Sequence, residues 1–90
     1  MKPLARVAIP ESSPPEVVEA IKECLTRAYS FIKIEYELKE GINHPMALSF
    51  DPKGVGLGSI AGDKDAPSRA MIEGIHSAAN RAFRAATLEG

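Results

Sequence analysis

Ninety residues, 44% of them hydrophobic and 26% charged, describe one ordinary globular domain and exclude a low-complexity or disordered chain. A formal net charge of −1 argues against strong non-specific nucleic-acid binding, which needs a basic surface to displace counterions. The single cysteine, Cys24, excludes an intramolecular disulfide and a thiolate zinc cluster.

A chain of this size buries only about 60–65% of its unfolded surface, so a second copy completing a marginal core is expected and a homodimer is predicted. Residues 1–10 are too broken by proline and arginine to hold a signal-peptide core, and no run approaches transmembrane length. The sequence therefore predicts no membrane partner and a reducing, cytoplasmic setting.

In chain order, Val7 and Ile9 alternate with Arg6 and Ala8 and stop at Pro10. This predicts a short strand at a sheet edge, or a loose arm. Residues 1–12 are set apart on that ground from a single domain over residues 13–90. Ser13 as N-cap would put Pro14 at the first helical position and Glu16 three residues after the cap, completing a capping box. The helix is predicted over residues 14–29. Val17, Val18, Ile21, Cys24, Leu25 and Ala28 line one face, and Glu23 and Arg27 form an i, i+4 pair on the other.

Residues 31–38 alternate cleanly, with Ile32, Ile34, Tyr36 and Leu38 on one face and Lys33, Glu35 and Glu37 on the other. Gly41 and Pro45 punctuate a loop over 39–45. A second strand over 46–51 puts Met46, Leu48 and Phe50 on one face and Ala47, Ser49 and Asp51 on the other. Asp51, Pro52 and Gly54 suit a turn. It leads to a glycine-rich third strand over 55–61 as antiparallel hairpin partner. The last helix, predicted over 67–87, carries Met71, Ile72, Ile75, Ala79, Ala82, Phe83 and Ala86 as its apolar stripe, interrupted by Gly74. The predicted fold is α+β: α-β-β-β-α, a three-stranded antiparallel meander with two helices on one face, with room for an extra N-terminal edge strand.

Cys24 beside a histidine would suggest nucleophilic catalysis, but Cys24 falls in the middle of the apolar helix face and reads as inert core. His44 lies in a loop and His76 at the margin of the helical stripe. Neither has an acidic companion at ligand spacing, so no metal is expected. Asp63 and Asp65 suit the start of the last helix better than acid–base work. No pair supplies a nucleophile and its base, so neither an enzyme nor a cofactor is predicted. Gly54-x-Gly56-x-Gly58 is a poor phosphate loop, because these glycines lie inside a strand and well before the helix. Backbone N–H groups over 59–65, with the helix end, can still hold a small carboxylate or phosphate. The candidate ligand-binding residues are Gly54, Gly56, Gly58, Ser59, Asp63 and Asp65.

Two resemblances follow. The helix beginning Pro15-Glu16-Val17-Val18-Glu19-Ala20-Ile21, the strand Ile32-Lys33-Ile34-Glu35-Tyr36-Glu37-Leu38, the segment Gly54-Val55-Gly56-Leu57 and the closing Asn80-Arg81-Ala82-Phe83-Arg84-Ala85-Ala86 resemble, in that order, the allosteric (dimerisation) domain of 2-isopropylmalate and citramalate synthases. That resemblance implies a non-catalytic module that dimerises and binds an end-product amino acid such as leucine or isoleucine, with the glycine strand and helix starts lining the site. As a competitor, Gly41-Ile42-Asn43-His44-Pro45 and Ala78-Ala79-Asn80-Arg81-Ala82-Phe83 are similar to the loop and final helix of a double-stranded-RNA-binding domain. It implies minor-groove contact by His44 and phosphate contact by Lys64 and Arg69. Asp63, Asp65 and Glu73 beside those two cations, and the net charge, favour the first reading.

Overall fold

The segment Leu4–Pro10 is apolar at every position except Arg6. Such a near-continuous apolar run suits an interior strand of a sheet better than an edge strand. In the computed structural model, which describes residues 2–52 and 66–89, it is the central strand of the sheet. The elements are β1 (Leu4–Pro10), α1 (Pro15–Ala28), β2 (Lys33–Lys39), β3 (Met46–Asp51) and α2 (Ala66–Glu89). The class is α+β. The strand order is β2-β1-β3, with β1 parallel to β2 and antiparallel to β3.

This corrects two expectations. Residues 4–10 are neither an edge strand nor an arm, and the sheet is mixed rather than an antiparallel meander. The physical reason is that Ala5, Val7, Ala8 and Ile9 are essentially inaccessible to solvent, and a strand flanked along both edges is shielded by its neighbours where an edge strand leaves one side open. Helix α1 then serves as the crossover that a parallel neighbour requires. Strands β2 and β3 flank β1 and do not form a hairpin. The glycine strand and its turn fall on residues 53–65, outside the described residues.

Helix α1 begins one residue later than predicted. Pro14 is the N-cap, with extended backbone at φ −61° and ψ 154°, and its carbonyl accepts from the Val17 and Val18 N–H groups at 3.0 and 3.1 Å. A residue preceding proline avoids the helical region, so Pro15 forces Pro14 to be extended and the helix to start at Pro15. The predicted capping box is therefore absent. Ser13 makes a backbone bond to the Pro10 carbonyl at 3.0 Å, and its hydroxyl is buried without a partner among the described residues. On the exposed face Arg27 and Glu23 pair at 3.6 Å, as expected.

The core lies on one side of the sheet. Ala5, Val7 and Ile9 of β1 meet Val17, Ile21 and Leu25 of α1, Phe50 of β3, and Ile75, Ala78 and Ala79 of α2. In β3 the faces change over partway. Ser49 pairs with Arg6 and Phe50 with Ala5, but Val7 pairs with Ala47, so Leu48 is the extra residue of a bulge. Ala47 and Phe50 thus both face the helices, where strict alternation had set them on opposite faces. Gly74 of α2 also finds its reason. A Cβ there would stand 2.8 Å from the hydroxyl of Tyr29, so glycine admits a side chain from the end of α1. Among the described residues, no helix is long and apolar enough to cross a membrane.

Candidate functional site

The two outer strands are covered differently. Helix α2 runs close against β3 and α1, whereas α1 and β2 approach each other less closely. Between α1 and β2 lies a cleft of about 300 Å³. Its apolar lining comes from Ile9, Pro15, Val18 and Leu38, and its charged rim from Glu19 and Lys22, with Glu37 on the bordering strand. Small-molecule sites of this size combine an apolar floor with a few convergent polar groups.

The local sequence explains each placement. Alternation along β2 turns Tyr36 and Leu38 to the helix side, opposite Val7 and Ile9. Helical spacing puts Val18 and Lys22 on one edge of α1, one turn apart. The Lys22 ammonium stands 5.5 Å from the Tyr36 ring centre, a cation–π approach. Burial pushes the Tyr36 hydroxyl above its ordinary value of 10.0. The Thr26 side chain offsets part of that rise, and Cys24 adds to it. Thr26 does not close a hydrogen bond of normal geometry, and the Tyr36 oxygen is buried without a partner among the described residues. The other such oxygen, on Ser13, also belongs to a residue lining this cleft. Leu38, at the end of the strand, is 60% exposed.

A shallower depression of about 330 Å³, at the C-terminal ends of β1 and β2, is lined by Glu11, Ser12, Lys39, Glu40, Gly41 and Ile42. Ile42 is its one large apolar side chain, so the α1–β2 cleft is the better-built site.

The opposite flank brings together two histidines that are isolated in the sequence. The rings of His44 and His76 meet edge to face with centres 5.8 Å apart. His44 Nδ1 lies 3.0 Å from the Pro45 carbonyl, and His76 Nδ1 is 3.4 Å from the Ala47 N–H, which donates to it. That acceptor role leaves the proton of a neutral His76 on Nε2, so this nitrogen is not a free lone pair for a metal. Asn80 donates to the Pro45 carbonyl and to the His76 carbonyl, both at 2.9 Å. The cluster ties α2 to the loop before β3. Among the described residues, no group of three or more potential metal ligands forms.

Of the residues singled out from sequence, Gly54, Gly56, Gly58, Ser59, Asp63, Lys64 and Asp65 lie outside the described residues. Arg69 is exposed on α2, and His44 sits in the loop leading to β3, packed on His76. That loop joins strands separated by β1, so it is not a hairpin loop of the kind a double-stranded-RNA-binding domain presents. Sequence reasoning overlooked Val18, Lys22, Tyr36 and Leu38 as a group. Their signal was Leu38, an apolar residue at the end of a strand, with Val18 at the margin of the α1 stripe. Comparison with family models, curated proteins and solved structures returns no match to this chain.

Proposed function

We propose that the chain is a non-catalytic, self-associating regulatory module that binds a small amino-acid-like or anionic ligand in the cleft between α1 and β2. The cleft carries this reading. Its lining matches a zwitterion bearing an apolar side chain: Lys22 for a carboxylate, Glu19 for an ammonium, and Val18, Pro15 and Leu38 for the apolar body. The resemblance to the allosteric domain of 2-isopropylmalate synthase points to the same ligand class. The Cys24 thiol faces the Ala78 carbonyl at 4.0 Å, turned toward α2, which supports a structural cysteine. A reducing, cytoplasmic setting suits this free thiol.

A thermal-shift panel of amino and keto acids tests the reading. A ligand at 100 times its Kd stabilises by about 2.7 kcal/mol, which for a domain of this size raises Tm by roughly 10 °C or more. The shift is expected to be lost in Lys22→Glu. A flat response across the panel overturns the ligand proposal.

A further inference from the structure

Strand β2 is an edge strand, and its pattern says how a second copy would pair with it. The Lys33 N–H donates to the Pro3 carbonyl, and the Lys39 carbonyl accepts from the Glu11 N–H, so the odd-numbered residues turn their backbone groups toward the β1 side. With period 2, the N–H and C=O groups of Ile34, Tyr36 and Leu38 point to the outer edge. Among the described residues, no strand pairs with that edge. The side chains of Lys33, Glu35, Glu37 and Lys39 lie on the sheet face away from the helices and are exposed.

Three antiparallel registers bring two copies of β2 together in a closed, two-fold way with five or more residues of each strand paired. Pairing centred on Tyr36 sets Lys33 against Lys39 and Glu35 against Glu37, all like charges. Pairing centred on Glu35 sets Lys33 against Glu37 twice, but leaves Leu38 beyond the paired residues of the two β2 strands. Pairing centred on Glu37 sets Glu35 against Lys39 twice and lays Leu38 against Tyr36 twice, leaving one Glu37–Glu37 pair. Of these three, only the last combines opposite charges with cover for the exposed Leu38, and the register centred on Leu38, which does so too, pairs only three residues of each strand. Opposite charges and apolar side chains set directly across two strands stabilise the pairing, and like charges weaken it.

From this we infer that a second copy of the chain docks on the outer edge of β2, antiparallel and centred on Glu37, forming a continuous six-stranded sheet from the strands described. The inference rests on the self-association proposed above and names its surface and register. Glu35 already faces Arg6 at 3.6 Å and is half exposed, so its carboxylate has room for Lys39 of a second copy as well.

Sedimentation or light scattering across a micromolar concentration series tests it. Wild type is expected to dimerise. Lys39→Glu and Glu35→Lys, each creating two like-charge pairs, are expected to raise the dissociation constant at least tenfold. The double variant Glu35→Lys/Lys39→Glu restores the dimer, while Lys33→Glu changes little. Circular dichroism confirms that each variant is folded. A wild-type monomer throughout the series overturns both this inference and the self-association reading. A dimer indifferent to both single variants overturns the β2 interface and leaves self-association standing through another surface. Loss in both single variants without rescue in the double variant overturns the register.

Discussion

The two flanks of β1 are built to different standards. On the β3 side, α2 lies close to the sheet, Asn80 and His76 bond the loop and strand, and Pro45 is fully buried. On the β2 side, α1 stands off, a cleft opens, Leu38 is exposed, and the hydroxyls of Ser13 and Tyr36 are buried without partners among the described residues. Buried polar groups are normally satisfied, and an exposed large apolar residue at a sheet edge is a liability. Among the described residues, the side-chain hydrogen bonds that tie helix to sheet and loop fall on the β3 flank, which leaves the β2 flank as the receptive half. The proposed ligand and the proposed second copy both fall on the receptive half.

Substitutions can break this contrast. The largest effect is expected at Ile75, fully buried where α2 meets the core: Ile75→Ala should cost about 2–5 kcal/mol in denaturant unfolding. Val18→Ala, in the half-buried lining of the cleft, should cost about 1 kcal/mol or less. Equal costs would mean that the cleft flank is as tightly packed as the other. Next comes Asn80→Ala, which removes one bond joining α2 to the loop and one within α2, and should cost about 1–2 kcal/mol.

Alkaline pH probes Tyr36. Its hydroxyl titrates higher in the folded chain than its ordinary 10.0, so the folded state holds the proton more tightly. That stability is fully present below pH 10 and is lost as pH rises through the folded value. Tyr36→Phe should flatten this alkaline decline in a pH series of unfolding curves.

Smaller again is Gly74→Ala. The gain in helix propensity, up to about 1 kcal/mol, is offset by displacing the Tyr29 hydroxyl, for a net change near zero. In a Tyr29→Phe background the same substitution should stabilise. Smallest is Ser13→Ala, which removes a buried oxygen with no partner among the described residues and should leave stability unchanged or slightly raised, by about 0.5 kcal/mol or less.

The elements were legible in the sequence to within a residue or two, because α1, β2 and α2 each carry a clean period. What sets them beside one another was not. The fit of β1 to the sheet centre was hinted at by its near-continuous apolar run, yet Arg6 and the flanking prolines also suit an edge. The Leu48 bulge leaves no mark in a strict alternation, so the faces of β3 were assigned wrongly over part of its length. Two consecutive prolines hid the helix start, since both positions look suitable until the restriction that Pro15 places on Pro14 is considered. The histidine cluster joins residues far apart in the chain. The α1–β2 cleft arises from a helix standing off a strand, a distance that no local pattern encodes.

Amide hydrogen exchange on β2, followed against protein concentration, tests the receptive flank most directly. The outward N–H groups of Tyr36 and Leu38 are expected to exchange readily when dilute and to become protected as concentration rises, while Ala47 on the other flank keeps its protection throughout. Rapid exchange of those two amides at every concentration would contradict the β2 pairing.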